Sequence, residues 1–202
     1  MKKINLLVIG ILCVISSSAQ IKYGFKGGLG LAGATGKAGA LTLTAQSEIK
    51  PQLGITMDLN GSETFNWQTG ILLNVYGGKY VGDGSTSKGS IYTLSVPMLG
   101  MYKLNEKLYG YAGPQLSFSV AAKGQETTEQ YDGKFVTKDE NINSNVKKPL
   151  LFGLIGGGYQ INENLKAFAE YHIGLTNALA NNDGEVVKLN LFNFGVQFNL
   201  SK

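Results

Sequence analysis

Five charged side chains of this chain could carry chemistry: Lys26, Asp58, Lys103, Glu170 and His172. Glu170 and His172 are two residues apart and therefore share a face of an extended strand, where the carboxylate could orient the imidazole as a general base. The set could also line a path for small solutes. In a narrow closed interior, however, opposite charges pair, because a buried charge needs a partner. No group of Ser or Asp residues that could form a catalytic site accompanies His172. Ion pairing among the five side chains is therefore favoured, and no catalytic residue is predicted.

The composition excludes several functional classes. One His and one Cys cannot form a Cys/His metal cage or a Cys–His nucleophile pair, so neither a metal nor a cofactor is predicted. The 18 basic residues are all Lys and form no cluster, which argues against nucleic acid as a partner. Charged residues make up 16% of the 202 residues, whereas soluble domains contain roughly 25%. This low charge favours one ordered domain over a disordered chain.

Residues 1–19 are predicted to form a secretory signal peptide. Two lysines precede a short apolar run, and small residues at Ser17 and Ala19 precede Gln20. The apolar run is too short for a transmembrane anchor, which is the alternative. The single cysteine, Cys13, lies within this leader. The mature chain, residues 20–202, is therefore expected to be one domain without a thiol.

The remaining sequence alternates between apolar residues and polar or glycine residues, which predicts strands with two different faces. From Leu165 to Leu175, for example, every second residue is Leu, Ala, Tyr or Ile, and the residues between them include Lys166, Glu170 and His172. Seven stretches show this pattern plainly, and residues 150–161 form an eighth. These strands predict an all-β fold, an eight-stranded antiparallel up-and-down barrel.

The connections between these strands alternate in length. Short turns around residues 61–64, 105–107 and 162–164 separate four long connections. Three of the long connections contain an Asp-Gly pair, the signature of a two-residue hairpin turn: Asp83-Gly84, Asp132-Gly133 and Asp183-Gly184. Long loops on one side and short turns on the other are typical of outer-membrane barrels, and they predict that both chain ends are periplasmic.

Counting outwards from each Asp-Gly turn predicts which residues pair. The predicted pairs are Val75 with Tyr92, Leu108 with Gly157, and Leu175 with Phe192. The second pair also sets the phase of residues 150–161, because a slip by one residue would exchange the two faces. Its apolar face is predicted to consist of Leu151, Ile155, Tyr159 and Ile161. Pro97 and Pro114 lie within strands. Proline has no backbone N–H to donate to the neighbouring strand, so local β-bulges are predicted at both positions.

The apolar face is predicted to point outwards into lipid. Its aromatic residues cluster near the short turns, as in the girdle at a membrane interface: Tyr23, Phe65, Trp67, Tyr102, Tyr159 and Phe198. The opposite face carries the five charged residues named above and Lys166, which would not suit an apolar ligand cavity. A secreted lipocalin-like barrel, the alternative, would place its apolar face inside.

Several short motifs resemble known sequences. Residues 193–200 resemble the C-terminal insertion signal of outer-membrane barrels, and its positions are Asn193, Gly195, Phe198 and Leu200. Residues 23–29, 94–99 and 170–177 resemble, in order, segments of the small porin-like (PorT-type) outer-membrane barrel family, with Glu170 where Arg is common. The resemblance implies a barrel held in outer-membrane lipid and inserted by the barrel assembly machinery of a Gram-negative bacterium. It does not imply one activity.

The predicted function is a structural or interaction role in the outer membrane, by a monomer whose loops contact an extracellular or envelope protein. A small-solute channel is the alternative, and an enzyme is not predicted. Residues 123–149 could be a binding surface or a solvated hairpin. Within them, alternation around Asp132-Gly133 predicts a two-stranded ribbon that continues the barrel register beyond the membrane. Its edges carry charges that discourage aggregation: Glu126, Glu129, Lys134, Lys138 and Asp139.

Overall fold

A computed structural model describes residues 21–39, 41–82, 85–129, 135–180 and 185–200. The predicted signal peptide and the three Asp-Gly turns lie outside these residues. No helix of the described ranges is long and apolar enough to cross a membrane. The secondary structure consists of a 3-10 helix, Asn143–Asn145, and ten strands: β1 Ile21–Ala38, β2 Leu41–Thr44, β3 Glu48–Asn60, β4 Phe65–Gly82, β5 Ser85–Lys103, β6 Leu108–Glu129, β7 Phe135–Asn141, β8 Leu150–Gln160, β9 Leu165–Gly174 and β10 Glu185–Asn199.

Eight of these strands form a closed antiparallel barrel. Their order around the wall is β1-β3-β4-β5-β6-β8-β9-β10, so neighbours in the chain are neighbours in space. Pairing of β10 with β1, from Gly24–Asn199 to Ala38–Glu185, closes the ring. The two remaining strands extend one end of the wall, where β2 pairs with β1 and β7 pairs with β6. The predicted eight-stranded up-and-down barrel is confirmed.

Alternation along the strands separates an apolar exterior from a polar interior. Large apolar side chains such as Ile55, Met98 and Phe194 are more than half exposed on the outer surface. Polar side chains between them, such as Gln52 and Asn193, are fully buried. The predicted outer positions in residues 150–161 are all exposed: Leu151, Ile155, Tyr159 and Ile161. The apolar face therefore points outwards, the opposite of a lipocalin-like barrel.

The two ends of the barrel differ. Three short turns lie at one end, which we call the short-turn end. The Leu104 amide donates to the Leu108 carbonyl and the Ile161 amide to the Leu165 carbonyl, both at 2.9 Å, as the predicted three-residue turns require. The predicted aromatic girdle surrounds this end, with these residues exposed: Tyr23, Trp67, Tyr102, Tyr159 and Phe198. The opposite end carries β2, β7 and the long connections, and we call it the long-loop end.

The strand registers agree with prediction at the first Asp-Gly hairpin and differ at the second. Val75 pairs with Tyr92, as predicted. Leu108 pairs with Tyr159 instead of Gly157, a shift of two residues. The shift has two sources: the β6–β7 pairing, with Thr127 opposite Thr137, is already displaced by one residue from the predicted hairpin, and residues 143–149 leave the ladder between β7 and β8 and displace β8 by three residues in the opposite sense. An even shift keeps every side chain on its predicted face.

The register predicted for the third Asp-Gly hairpin is also wrong, by four residues. Phe192 pairs with Tyr171 instead of Leu175. The regular β9–β10 ladder ends at the pair of Ile173 and Asn190, and the Leu175 amide donates to the Leu151 carbonyl across the neighbouring strand at 2.9 Å. Residues 175–180 therefore depart from a regular hairpin at the long-loop end, and they contact β10 again where the Ala178 amide donates to the Val187 carbonyl at 2.8 Å.

The predicted free ribbon is part of a larger sheet. Beyond the barrel, β6 pairs with β5 on one side, from Ile91–Ala122 to Ser85–Thr128, and with β7 on the other. We call this four-stranded extension the outer sheet; it comprises residues 76–82, 85–91, 121–129 and 135–141. Its register does not continue that of the barrel, because β6 carries a shift beside Tyr92 and Thr93 and five residues separate β6 from β7.

Pro97 and Pro114 interrupt the ladder without forming bulges. The β4–β5 ladder omits the two residue pairs around Pro97, and the β5–β6 ladder omits the two pairs around Pro114. The register is the same on both sides of each gap. The predicted bulges at these prolines are therefore wrong, since a missing N–H is accommodated by a local gap in one ladder. The Pro97 carbonyl instead accepts a hydrogen bond from the Thr69 hydroxyl at 2.8 Å.

Candidate functional site

The middle of the barrel interior is organised around the carboxylate of Glu170. Lys26 Nζ lies 2.6 Å from one carboxylate oxygen, and the Tyr111 hydroxyl donates to the same oxygen at 2.8 Å. Gln52 Nε2 donates to the other oxygen at 2.9 Å, and His172 Nε2 lies 3.0 Å from it. Lys26 and Glu170 are at most 2% exposed. This Glu170 cluster gives a buried charge four partners, three from other strands and His172 from β9 itself.

His172 is enclosed on both sides of its ring. The Tyr76 hydroxyl lies 2.9 Å from Nδ1, and Gln115 Nε2 donates to that hydroxyl at 2.9 Å. A neutral imidazole satisfies both contacts, because Nε2–H donates to Glu170 while Nδ1 accepts from Tyr76. His172 is 0% exposed, so its ring cannot reach a substrate at either end of the barrel. The arrangement supports packing and not general-base catalysis.

A second cluster lies nearer the short-turn end, around Asp58. Its carboxylate accepts from Gln68 Nε2 at 2.6 Å and from Lys166 Nζ at 2.7 Å. Gln197 Nε2 also reaches it at 3.4 Å. Lys103, predicted to belong to this interior network, is instead exposed, because it occupies the last residue of β5 at the open mouth. Lys166 takes the role of the cation that Lys103 was expected to supply.

The sequence prediction omitted several members of these clusters. Gln52 lies on the same face of β3 as Asp58, and Gln197 lies on the inward face of β10, so the alternation alone could have added them. Tyr76 and Tyr111 also lie on the inward faces of β4 and β6, but the predicted network counted only charged residues and His172 and so left them out. Among the described residues, no group of three or more His, Cys, Asp or Glu side chains could hold a metal ion.

The interior near the long-loop end is apolar. The connections fold back so that Val146 and Ala178 are buried there, and the Lys147 amide donates to the Ala178 carbonyl at 2.8 Å. Tyr76 stacks on Phe152 with ring centroids 4.4 Å apart. We call these residues the cap cluster: Ala32, Ala34, Ala45, Tyr76, Ile91, Ala122, Val146, Leu150, Phe152, Ala178, Leu189 and Leu191. Tyr80 packs against it, and the burial raises the pKa of the Tyr80 hydroxyl.

The packed interior predicts that the barrel does not conduct. Eight strands leave room only for side chains, and the cap cluster closes the long-loop end above the two polar clusters. Purified protein in planar bilayers is therefore expected to show no stable ohmic conductance of porin size. A larger porin in the same bilayers is the positive control. Stable openings that scale with salt concentration would contradict this interior.

The residues of the predicted insertion signal lie at the seam that closes the barrel. Asn193 and Gly195 of β10 pair with Gly30 and Gly28 of β1. A Cβ atom on Gly195 would lie 2.1 Å from the Gly27 carbonyl oxygen, so the seam requires glycine there. Phe198 and Leu200 point outwards and are nearly half exposed. The signal residues thus combine a tight seam with a lipid-facing end.

Comparison with known proteins identifies the family. The family model of the outer membrane protein beta-barrel domain matches residues 16–180. The chain belongs to this family. Family membership agrees with the outward apolar surface and makes the protein an integral barrel of the Gram-negative outer membrane. A search of the curated proteins found no match.

Several solved structures of outer-membrane barrels are similar to this chain. Neisserial surface protein A has a TM-score of 0.51 and 12% identity, with 91% of this chain and 100% of that chain covered. The attachment invasion locus protein Ail of Yersinia pestis has a TM-score of 0.47 and 13% identity, covering 88% and 98%. OprG of Pseudomonas aeruginosa has a TM-score of 0.44 and 11% identity, covering 91% and 98%. At 12% identity the likeness to Neisserial surface protein A concerns the fold alone.

Proposed function

We propose that this barrel is a non-catalytic interaction protein whose outer sheet binds an extended segment of an extracellular or envelope protein. In this proposal the long-loop end faces the outside and both termini lie in the periplasm, as in barrels with long external loops. The protein acts as a monomer in outer-membrane lipid after insertion by the barrel assembly machinery. The order of the short motifs supports a PorT-type subfamily.

The observation that carries the proposal is the unpaired edge of β7. This strand pairs with β6, and no other described strand pairs with it. The Ile142 amide donates to the Ala122 carbonyl at 3.1 Å, which fixes the even-numbered residues of β7 as the ones bonded to β6. Thr137, Asp139 and Asn141 therefore direct their backbone N–H and C=O groups away from the sheet. Such an edge can accept another strand.

The side chains of β7 restrict which strand can bind. Lys138, Asp139 and Glu140 are exposed, so a partner with unmatched charges would be repelled. The same charges disfavour pairing of two β7 edges, because antiparallel self-association would bring some like charges close together. The edge therefore suits a partner segment with complementary charges better than a second copy of this chain.

Proline at an outward-facing position tests the edge. Thr137→Pro removes one outward N–H and leaves the backbone bonds to β6 in place, whereas Thr137→Ala keeps the N–H. Both changes lose the 3.1 Å contact between the Thr137 and Thr127 hydroxyls, so Thr137→Ala is the matched control. A photo-crosslinking residue at Asp139 in intact cells is expected to form a discrete protein adduct. The adduct should be strongly reduced by Thr137→Pro and kept by Thr137→Ala.

A second crosslinking position at Glu163, in a turn at the short-turn end, gives the spatial control. The proposal fails if Asp139 forms no adduct, if Glu163 forms the same adduct, or if Thr137→Pro leaves the adduct unchanged. Heat-dependent mobility on gels verifies that each variant contains a folded barrel.

A further inference from the structure

A cleft of about 680 Å³ lies where the outer sheet meets the barrel wall. Residues from β3, β5, β6 and β7 line it, among them Lys50, Lys88, Tyr92, Lys123 and Asp139. Its volume lies in the range of small-molecule sites. The interior clusters do not use this cleft, and the proposed strand edge shares Asp139 and Asn141 with it through their backbone groups, whereas the cleft presents the Asp139 side chain.

One wall of the cleft belongs to the lipid-facing surface. Tyr92 and Val120 line it and are 39% and 55% exposed on the apolar exterior. Ala121 pairs with Tyr92, and Lys123 follows two residues later, about 7 Å further along the strand. The cleft therefore runs from the upper edge of the apolar belt into the zone where lipid headgroups lie. A lipid in the adjoining leaflet can reach it from the side.

The polar wall of the cleft combines cations with acceptors. Lys50 is held by Glu48 at 2.8 Å and donates to the Ser90 hydroxyl at 2.9 Å, whereas Lys88 lies only 3.9 Å from Glu48. Lys123 forms no ion pair with any residue of the described ranges. Gln125 donates to the Asp139 carboxylate at 2.9 Å. Lys88 and Lys123 are therefore the two lysines of the cleft whose ammonium groups can bind an anionic ligand.

We infer that this cleft binds the phosphorylated sugar headgroup of a glycolipid in the outer leaflet. Lys88 and Lys123 bind the phosphate, and Asp139 with Gln125 accepts and donates hydrogen bonds to sugar hydroxyls. A ligand with phosphate alone would be repelled by Asp139 and Glu140, and a neutral sugar would gain no charge pairing from Lys88 and Lys123. The lateral opening at Tyr92 selects a ligand anchored in the membrane. The inference rests on the proposed orientation, with the long-loop end outside.

The test compares two charge-reversal variants in neutral detergent. Lys88→Glu with Lys123→Glu alters the cleft, and Lys103→Glu with Lys107→Glu makes the same change of charge at the short-turn end. The probe is an acylated diglucosamine that carries two phosphates, titrated by native mass spectrometry. The wild type and the short-turn variant are expected to bind one molecule with equal affinity, and the cleft variant at least tenfold more weakly. Removing the phosphates from the probe should weaken wild-type binding to a similar extent.

Three results would overturn the inference. They are equal affinity of both double variants, equal affinity for phosphatidylglycerol, and equal affinity for the soluble diglucosamine bisphosphate without acyl chains. The last result would replace the membrane glycolipid with a free sugar phosphate. Protease access to residues 123–149 in intact cells measures the orientation independently, so failure of the proposed orientation is distinguishable from failure of the cleft. The exposed positions of all four lysines allow both variants to fold, which heat-dependent gel mobility verifies.

Discussion

Replacing Glu170 by Ala is expected to lower the free energy of unfolding by about 3–5 kcal/mol, the usual cost of removing one partner of a buried ion pair. The change leaves Lys26 at 2% exposure without its counter-charge 2.6 Å away. It also removes the acceptor for the Tyr111 hydroxyl and for Gln52 Nε2. Water cannot replace these partners easily, because the cap cluster closes one end of the interior.

Guanidinium unfolding in lipid vesicles measures this effect. Glu163→Ala, in a turn at the short-turn end, is the control for loss of an exposed carboxylate and should cost no more than about 1 kcal/mol. The double variant Lys26→Met with Glu170→Gln should lose clearly less than the sum of its single changes, because it removes both charges together. A Glu170→Ala variant as stable as the Glu163→Ala control would show that the cluster does not hold the interior together.

The alternation of the sequence predicts which way each side chain points, and this part of the structure is confirmed. Residues 150–161 show why it is a robust signal. Their predicted register was wrong by two residues, yet Leu151 and Ile155 are exposed as expected and Phe152 and Leu154 are buried. Strand pairing can slip by an even number without exchanging faces, so the faces of a barrel are easier to predict than its pairs.

The alternation does not predict how far along the barrel axis a residue lies. By the alternation, the Lys103 side chain belongs to the inward face of β5. Lys103 is the last residue of that strand, however, and at the open short-turn end water solvates its ammonium group, so no carboxylate is required. The cap cluster was missed for a related reason. Val146 and Ala178 belong to connections without a repeating pattern, and only their return over the mouth buries them. Which interior side chains form ion pairs, such as Lys166 with Asp58, likewise depends on how far each strand is staggered relative to its neighbours.

The outer sheet illustrates a third limit. A turn signal such as Asp132-Gly133 predicts a hairpin, but it does not say that β5 continues alongside β6 to Thr128 or that β7 is left as the edge. Those features depend on the lengths of neighbouring strands. The proposed binding edge therefore emerged from the sheet topology and not from the charged residues that first marked this segment.

Replacing Val96 by Lys is expected to destabilise the barrel by about 2–4 kcal/mol, whereas Leu104→Lys should cost about 0–1 kcal/mol. Val96 lies on the lipid-facing surface of β5, four residues from Tyr92 and six from Tyr102. It is therefore near mid-height of the apolar belt, where a lysine ammonium must either leave water or distort the bilayer. Leu104 is also exposed and apolar, but it lies in a turn where a lysine reaches water directly.

Unfolding of both variants in vesicles of one lipid composition isolates the effect of depth, because each change introduces the same side chain. Val96→Ala serves as the control for lost packing, and the additional cost of Val96→Lys then reports the charge. In neutral detergent micelles, which deform more readily than a bilayer, the difference between Val96→Lys and Leu104→Lys should shrink. Equal stability of the two lysine variants in vesicles would contradict the position of the apolar belt, since depth in hydrocarbon is the property that separates these two sites.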